Sequence, residues 1–237
     1  MLEIMKTIGL IGGMSWESSV EYYRLINQGM KARLGGHNNA KSLMVTVNFD
    51  EIAVLQREGR WEELGTQMAH AARQLEGGGA DFILLCTNTM HKLTPNIEGA
   101  VKIPFLHIAD ATAKAIKNAG MKKVGLLGTR FTMEDEFYRE RLESRHGIGA
   151  VIPNQEDRAI VHRIIYDELC HGTVLDSSRK EYQRIIDWLK ANGCEGVVLG
   201  CTEITLLIKP ADSSLPVFDT TQIHAAQAVE LAVENGA

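Results

Sequence analysis

The chain is predicted to be an α/β protein of two pseudosymmetric lobes, each a mainly parallel sheet flanked by helices. Three observations carry that expectation. First, the sequence repeats itself: Lys6-Thr7-Ile8-Gly9-Leu10-Ile11-Gly12-Gly13 returns as Lys122-Lys123-Val124-Gly125-Leu126-Leu127-Gly128-Thr129. The segment Gly79 to Thr87 returns as Gly193 to Cys201, and Ile103-Pro104-Phe105 as Leu215-Pro216-Val217. The offset stays between 112 and 116 residues, the mark of a duplicated unit. Second, 237 residues suffice for two units that each bury a core. Third, short apolar runs alternate with amphipathic stretches of ten or more residues, which implies right-handed βαβ units.

The elements follow in order. Thr7–Gly12 is a glycine-flanked apolar run, the pattern of a buried parallel strand. A turn at Gly12-Gly13-Met14-Ser15 leads into a helix from Ser15 to Leu34, capped by Ser15 and stopped by Gly35-Gly36. Leu43–Phe49 is a strand, Trp61–Glu76 a helix, Asp81–Cys86 a strand, Pro104–His107 a short strand and Ala109–Ala119 a helix. In the repeat, Lys123–Gly128 is a strand, Met133–Ser144 a helix, and Gly149–Ile152 a strand. Ala159–Leu169 and Ser177–Asn192 are helices, Gly196–Gly200 and Val217–Phe218 strands, and Gln222–Glu234 the last helix. The lobes are expected to divide as residues 1–107 with 218–237, and 108–217. Trp16, Trp61 and Trp188 are read as packing residues.

Composition excludes several classes of function. A net charge of −5 offers no basic patch for nucleic acid. No apolar run is long enough to span a membrane. The start lacks the apolar stretch of a signal peptide. Four scattered cysteines, Cys86, Cys170, Cys194 and Cys201, form no disulfide framework. These features point to a reduced, cytoplasmic enzyme. His107, His162 and His171 lack the i, i+4 pairing of a metal site, so no metal is expected.

Ligands of parallel sheets bind beyond the carboxyl ends of the strands. Those ends carry Gly13-Met14-Ser15, Cys86-Thr87-Asn88-Thr89, Thr129 and Gly200-Cys201-Thr202-Glu203. The expectation is that they converge on a cleft between the lobes. Gly9-x-x-Gly12-Gly13 lacks the spacing of a dinucleotide fingerprint. It reads better as a turn whose backbone N–H groups hold a carboxylate. Cys201 ends a strand and precedes polar residues, where a thiol pKa lowered toward neutrality would make a general base or acid. Thr87, Asn88 and Thr89 present hydroxyl, amide and backbone donors to an anion. Cys86 has the character of a core residue, and His91 that of a supporting or surface histidine rather than a base.

The paired Cys86-Thr87-Asn88-Thr89 and Gly200-Cys201-Thr202-Glu203 loops resemble those of the aspartate/glutamate racemase superfamily. So do the opening Ile8-Gly9-Leu10-Ile11-Gly12-Gly13-Met14 and the segment Pro104-Phe105-Leu106-His107-Ile108-Ala109-Asp110. The resemblance covers nearly the whole chain. It implies a cofactor-independent enzyme, without pyridoxal phosphate, in which two cysteines flank the substrate α-carbon. One removes the α-proton and the other returns a proton on the opposite face. The chain departs from this pattern. Thr87 stands where the family has its first catalytic cysteine, and the repeat pairs Thr87 with Cys201 and Cys86 with Gly200. A shift of one residue turns a strand side chain to the other face. The expected pair is therefore Cys201 as base and Thr87 as proton donor, with unequal activity toward the two enantiomers.

The resemblance further implies that Met14, Ser15, Asn88, Thr89, Thr129, Thr202 and Glu203 contact a small amino-acid substrate. Gln56, beside Arg57, and Glu168 would meet its side chain. Cys170 stands at the position where the resemblance would place a lysine. Small polar or acidic amino acids, homoserine included, are the expected substrates, and a homodimer the expected assembly. The alternatives are a dicarboxylate isomerase or decarboxylase of the same superfamily, and a non-catalytic amino-acid-binding protein.

Overall fold

A computed structural model describes residues 5–233. The chain divides into two compact units, one running to Ile108 and resuming at His224, the other Ala109–Ile223. Each unit holds a four-stranded, all-parallel sheet, and the two sheets have the same strand order.

In the first unit the order is β2-β1-β3-β4, with β1 at Ile8–Gly12, β2 at Ser42–Thr46, β3 at Phe82–Leu85 and β4 at Phe105–Leu106. Every residue of β1 and β3 is buried, because helices cover both faces of a parallel sheet. On one face α2 (Phe49–Glu58) and α3 (Trp61–Gly77) pack Ile52, Leu64, Met68 and Leu75 against Ile11, Ile83 and Leu85. On the other, α1 (Trp16–Leu34) and α11 (Thr220–Val233) pack Tyr22, Ile26, Met30 and Ala228 against Ile8, Leu10, Phe82 and Leu84. The short helix α4 (Thr94–Glu98) and the opening of α5 (Ile108–Asn118) complete the unit.

The second unit repeats the plan in the order β6-β5-β7-β8, with β5 at Lys123–Gly128, β6 at Gly149–Val151, β7 at Gly196–Gly200 and β8 at Val217–Asp219. Its largest core joins Val161, Ile164 and Ile165 of α8 (Gln155–Asp167) to Tyr182, Ile185, Ile186 and Leu189 of α9 (Asp176–Ala191). Leu127, Val197 and Leu199 meet them from the sheet.

Three expectations need correction. The strand expected over Leu43–Phe49 ends at Thr46, and Phe49 opens the helix α2: Asn48 caps it, its side chain accepting from Asp50 N–H at 3.3 Å. The single helix expected over Met133–Ser144 is three pieces. They are α6 (Arg130–Glu134), α7 (Glu136–Glu140) and a π-helical turn at Arg141–Arg145, because Asp135 is extended (φ −72°, ψ 142°). Trp16 is 66% exposed and is not a packing residue. With Val20, Tyr23 and Met44 it borders a pocket of about 730 Å³ between α1 and the edge strand β2. The last helix was expected to reach Glu234, which lies outside the described residues.

Candidate active site

The first unit presents its loop where β3 ends. Cys86 lies in the core with no exposure, and burial pushes its thiol pKa far up. It is anchored there by Ser18 Oγ, which donates to the Cys86 carbonyl at 2.8 Å. Asn88, Thr89 and Met90 are also buried, so Thr87 alone of this loop is partly exposed. The one-residue alternation of the sequence is thus what the fold uses: Cys86 turns inward and Thr87 outward. From Thr89 the chain enters a 3₁₀ turn, Thr89–Leu93. Gln56 is buried on α2 and approaches the loop, its Nε2 lying 3.2 Å from Met90 Sδ. Arg57, next along the helix, is exposed.

The turn after β1 has a tighter role than expected. Gly13 has φ +89°, and a Cβ there would stand 2.2 Å from the Val47 carbonyl oxygen, so only glycine fits. Its N–H donates to Ser19 Oγ at 2.8 Å, and is therefore not open to a substrate carboxylate as the sequence suggested. Ser15 caps α1, accepting from Ser18 N–H at 3.3 Å, and Met14 belongs to the core.

The second unit builds its loop at the ends of β5 and β7. Gly128 and Gly200 are register partners, and a Cβ on Gly128 would come 2.9 Å from the Gly200 carbonyl oxygen. This close approach sets Thr129 and Cys201, the next residues of each strand, at the same sheet end. Thr129 caps α6, accepting from Thr132 N–H at 3.3 Å. Cys201 is partly exposed, and its Sγ donates to Glu203 Oε2 at 3.0 Å. Thr202 accepts from Thr205 Oγ1 through its backbone carbonyl at 2.7 Å.

The electrostatics of Cys201 reverse the expectation of a lowered pKa. Desolvation first, and then the neighbouring Glu203 carboxylate, hold the thiol well above its usual range. The helix that follows, α10 (Ile204–Leu207), has four residues and begins beside that carboxylate, so it supplies no compensating positive end. Glu203 thus acts on the thiol itself.

Glu168 also has a different place from the one expected. It is buried at the end of α8, where it accepts from Ser178 Oγ and, at 3.1 Å, from Arg163. Through these bonds it joins α8 to α9.

Two residues escaped the sequence reading. Tyr166 feels Cys201, Cys170 and Glu203 together, and with burial as the main cause its phenol is pushed up to about 12. Arg130 opens α6 directly after Thr129, and its N–H donates to His162 Nδ1 at 3.2 Å. Burial first, and then the Arg130 guanidinium, lower the His162 pKa, and the same guanidinium partly opposes the rise at Tyr166; Arg130 makes no ion pair among the described residues. A signal for Arg130 existed in the sequence: it follows Thr129, the repeat partner of Gly13. Among the described residues no group of three or more His, Cys, Asp or Glu side chains is placed to hold a metal ion. No described helix is long and apolar enough to cross a membrane.

Comparison with known proteins adds a family to this geometry. The Asp/Glu/hydantoin racemase model matches residues 11–228. The chain belongs to that family. A Yersinia pestis protein solved as a candidate Asp/Glu racemase is 53% identical, with a TM-score of 0.93 over 97% of this chain and 100% of that one. An aspartate racemase homologue from Pyrococcus horikoshii OT3 is 36% identical, with a TM-score of 0.85 over 97% of this chain and 100% of its own. A broad-specificity amino-acid racemase of Bacillus subtilis (strain 168) is 25% identical over 169 residues, covering 71% of this chain and 72% of that protein.

Proposed function

We propose that this racemase-family chain is a cofactor-independent racemase of a small polar or acidic amino acid. The hydrogen bond from Cys201 to Glu203 carries the reading. Glu203 accepts the thiol proton, and the thiolate so formed removes the α-proton of the substrate. Thr87, the partly exposed residue of the corresponding first loop, donates a proton to the other face and regains one from water. Asn88, Thr89, Thr129 and Thr202 are proposed to hold the α-carboxylate and the negative charge that develops beside it. Because a threonine hydroxyl is a far weaker acid than a thiol, the two directions are expected to differ in rate.

The uncommitted Arg130 favours an acidic side chain over a hydroxylated one, since a guanidinium can take a carboxylate in two parallel hydrogen bonds. Gln56 is proposed to complete side-chain recognition. A homodimeric, cytoplasmic enzyme belongs to the same proposal.

The test is deuterium incorporation at Cα, followed by NMR in D₂O with no added cofactor. L- and D-aspartate, L- and D-glutamate, homoserine and neutral amino acids are offered separately. Exchange with at least one of them is expected, and Cys201→Ala should abolish it while substrate binding persists. Absence of exchange with every amino acid would overturn the reading in favour of a dicarboxylate isomerase or a binding protein.

A further inference from the structure

His91 is a buried residue that the proposed chemistry does not use, and its hydrogen bonds lead directly to Thr87. Its Nδ1 lies 2.8 Å from the Thr87 carbonyl oxygen, and the Ile108 N–H donates to its Nε2 at 3.2 Å. An amide can only donate and a carbonyl can only accept, so Nδ1 carries the single proton and the ring is neutral. His91 is 1% exposed, and burial, with His107 and His224 as neighbours, holds its pKa well below the usual histidine value. The His107 ring lies 4.6 Å from that of His91 and the His224 ring 5.7 Å.

His224 is bonded on the same pattern. Its Nε2 donates to the Leu106 carbonyl at 2.9 Å, so its Nδ1 accepts from Tyr22 Oη, also at 2.9 Å. It has no exposure. The cluster therefore ties the Thr87 loop to both places where the chain passes between its units. Ile108 ends the first passage, and His224 begins the return.

We propose that His91 is the positioning residue of Thr87: its Nδ1–H fixes the Thr87 peptide, and with it the direction in which the hydroxyl points. The inference rests on the proposed racemase chemistry. That carbonyl belongs to the Thr87–Asn88 peptide, and Asn88 at its far end is buried, as is Cys86 before Thr87. The His91 bond is a side-chain contact that reads the orientation of that group from inside the core. Misplacement of a reacting group by about 1 Å can cost about 100-fold in rate. That loss should fall on the Thr87 step alone.

Two substitutions separate the halves of the imidazole. In His91→Asn the amide nitrogen can occupy the place of Nδ1 and still donate to Thr87. In His91→Gln the amide reaches the place of Nε2, keeping the Ile108 contact and losing the Thr87 bond. The readout is internal to each enzyme. With the aspartate enantiomer whose α-proton faces Cys201, the one that exchanges faster in D₂O, exchange with retention reports the Cys201 step, and inversion reports completion through Thr87. Their ratio does not depend on how much protein is folded.

For His91→Gln the ratio of inversion to exchange is expected to fall at least tenfold, with exchange itself close to wild type. His91→Asn should keep the ratio within about threefold of wild type. An unchanged ratio in His91→Gln, or an equal fall in both variants, would overturn the positioning role. If His91→Gln does not fold, His91→Asn decides alone: a ratio within threefold of wild type upholds the role, and a larger fall overturns it. A wild-type enzyme that exchanges no amino acid sinks the racemase reading itself, whereas exchange with an unresponsive ratio sinks only the role of His91.

Discussion

Thr87 and Cys86 show how one residue of register decides exposure. Both are small and nucleophilic, and they are adjacent, yet one is buried in the core and the other reaches the surface. The duplication in the sequence revealed this, because it aligned Thr87 with Cys201. Thr87→Cys is therefore expected to raise the slower direction of racemisation at least tenfold, as measured by the initial rates from each enantiomer. Equal rates before and after would remove Thr87 from the reaction. From the sequence Glu203 was read as a substrate contact and not as a partner of the thiol. Its hydrogen bond to the thiol depends on the turn after β7, which no sequence pattern specifies. Glu203→Gln should lower kcat for aspartate by about 100-fold with KM nearly unchanged, because it removes the acceptor of the thiol proton. An equal rise in KM would assign Glu203 to binding instead. Arg130→Met should lower kcat/KM for aspartate by about 10- to 100-fold, the worth of a hydrogen bond to a charged group. Homoserine should be almost unaffected, and an equal fall for both would end the assignment of Arg130 to the distal carboxylate.

Among the elements, the strands were the most legible. Gly196–Gly200 and Lys123–Gly128 are found where the glycine-flanked apolar runs placed them. The runs are short because each crosses a sheet only once, and apolar throughout because both faces are covered. The helices were less so. The α4 helix has only five residues, with a proline near its start, and too few turns to show a period. The break at Asp135 separates two short helices whose combined pattern reads as one. Loops that look interchangeable in sequence also differ physically. The Gly13 turn is committed to Ser19 and packed against Val47, whereas its repeat partner, Thr129, is a helix cap. Gly13→Ala is thus expected to destabilise the protein by about 2–3 kcal/mol or more, from a disfavoured φ combined with a backbone overlap. Thermal or urea unfolding would measure it, and a loss under 0.5 kcal/mol would show that the turn relaxes freely.

At the scale of the whole molecule, the division into units was visible in the repeat, but the contacts that join distant segments were not. Tyr22 and His224 are 202 residues apart and meet within one unit. A sequence shows no periodicity over such a distance. The histidine cluster also governs how stability depends on acidity. Burial lowers His224 from its ordinary 6.5 to about 4 in the folded protein, and His91 shifts in the same direction. The unfolded chain therefore binds more protons below pH 6.5, and stability must rise with pH through this window. The contribution of His224 is fully present above about pH 6.5 and is lost progressively as the pH falls to about 4. It amounts to roughly 3 kcal/mol. Urea midpoints at pH 7, 5.5 and 4 should fall in that order. His224→Gln should flatten the slope, and an unchanged slope would place the acid sensitivity elsewhere.

The return of the chain at His224 also has a consequence for the order in which the protein is made. Ala109–Ile223 is continuous, so the second unit has left the ribosome before the first is complete. The core of the first unit needs Ala225, Ala228, Val229 and Ala232 to cover Ile8, Leu10, Phe82 and Leu84, and these are translated after the whole of the second unit. The second unit can thus reach its native form while the first still exposes one apolar face of its sheet. During synthesis that face is the part of the nascent chain with the greatest need of a chaperone.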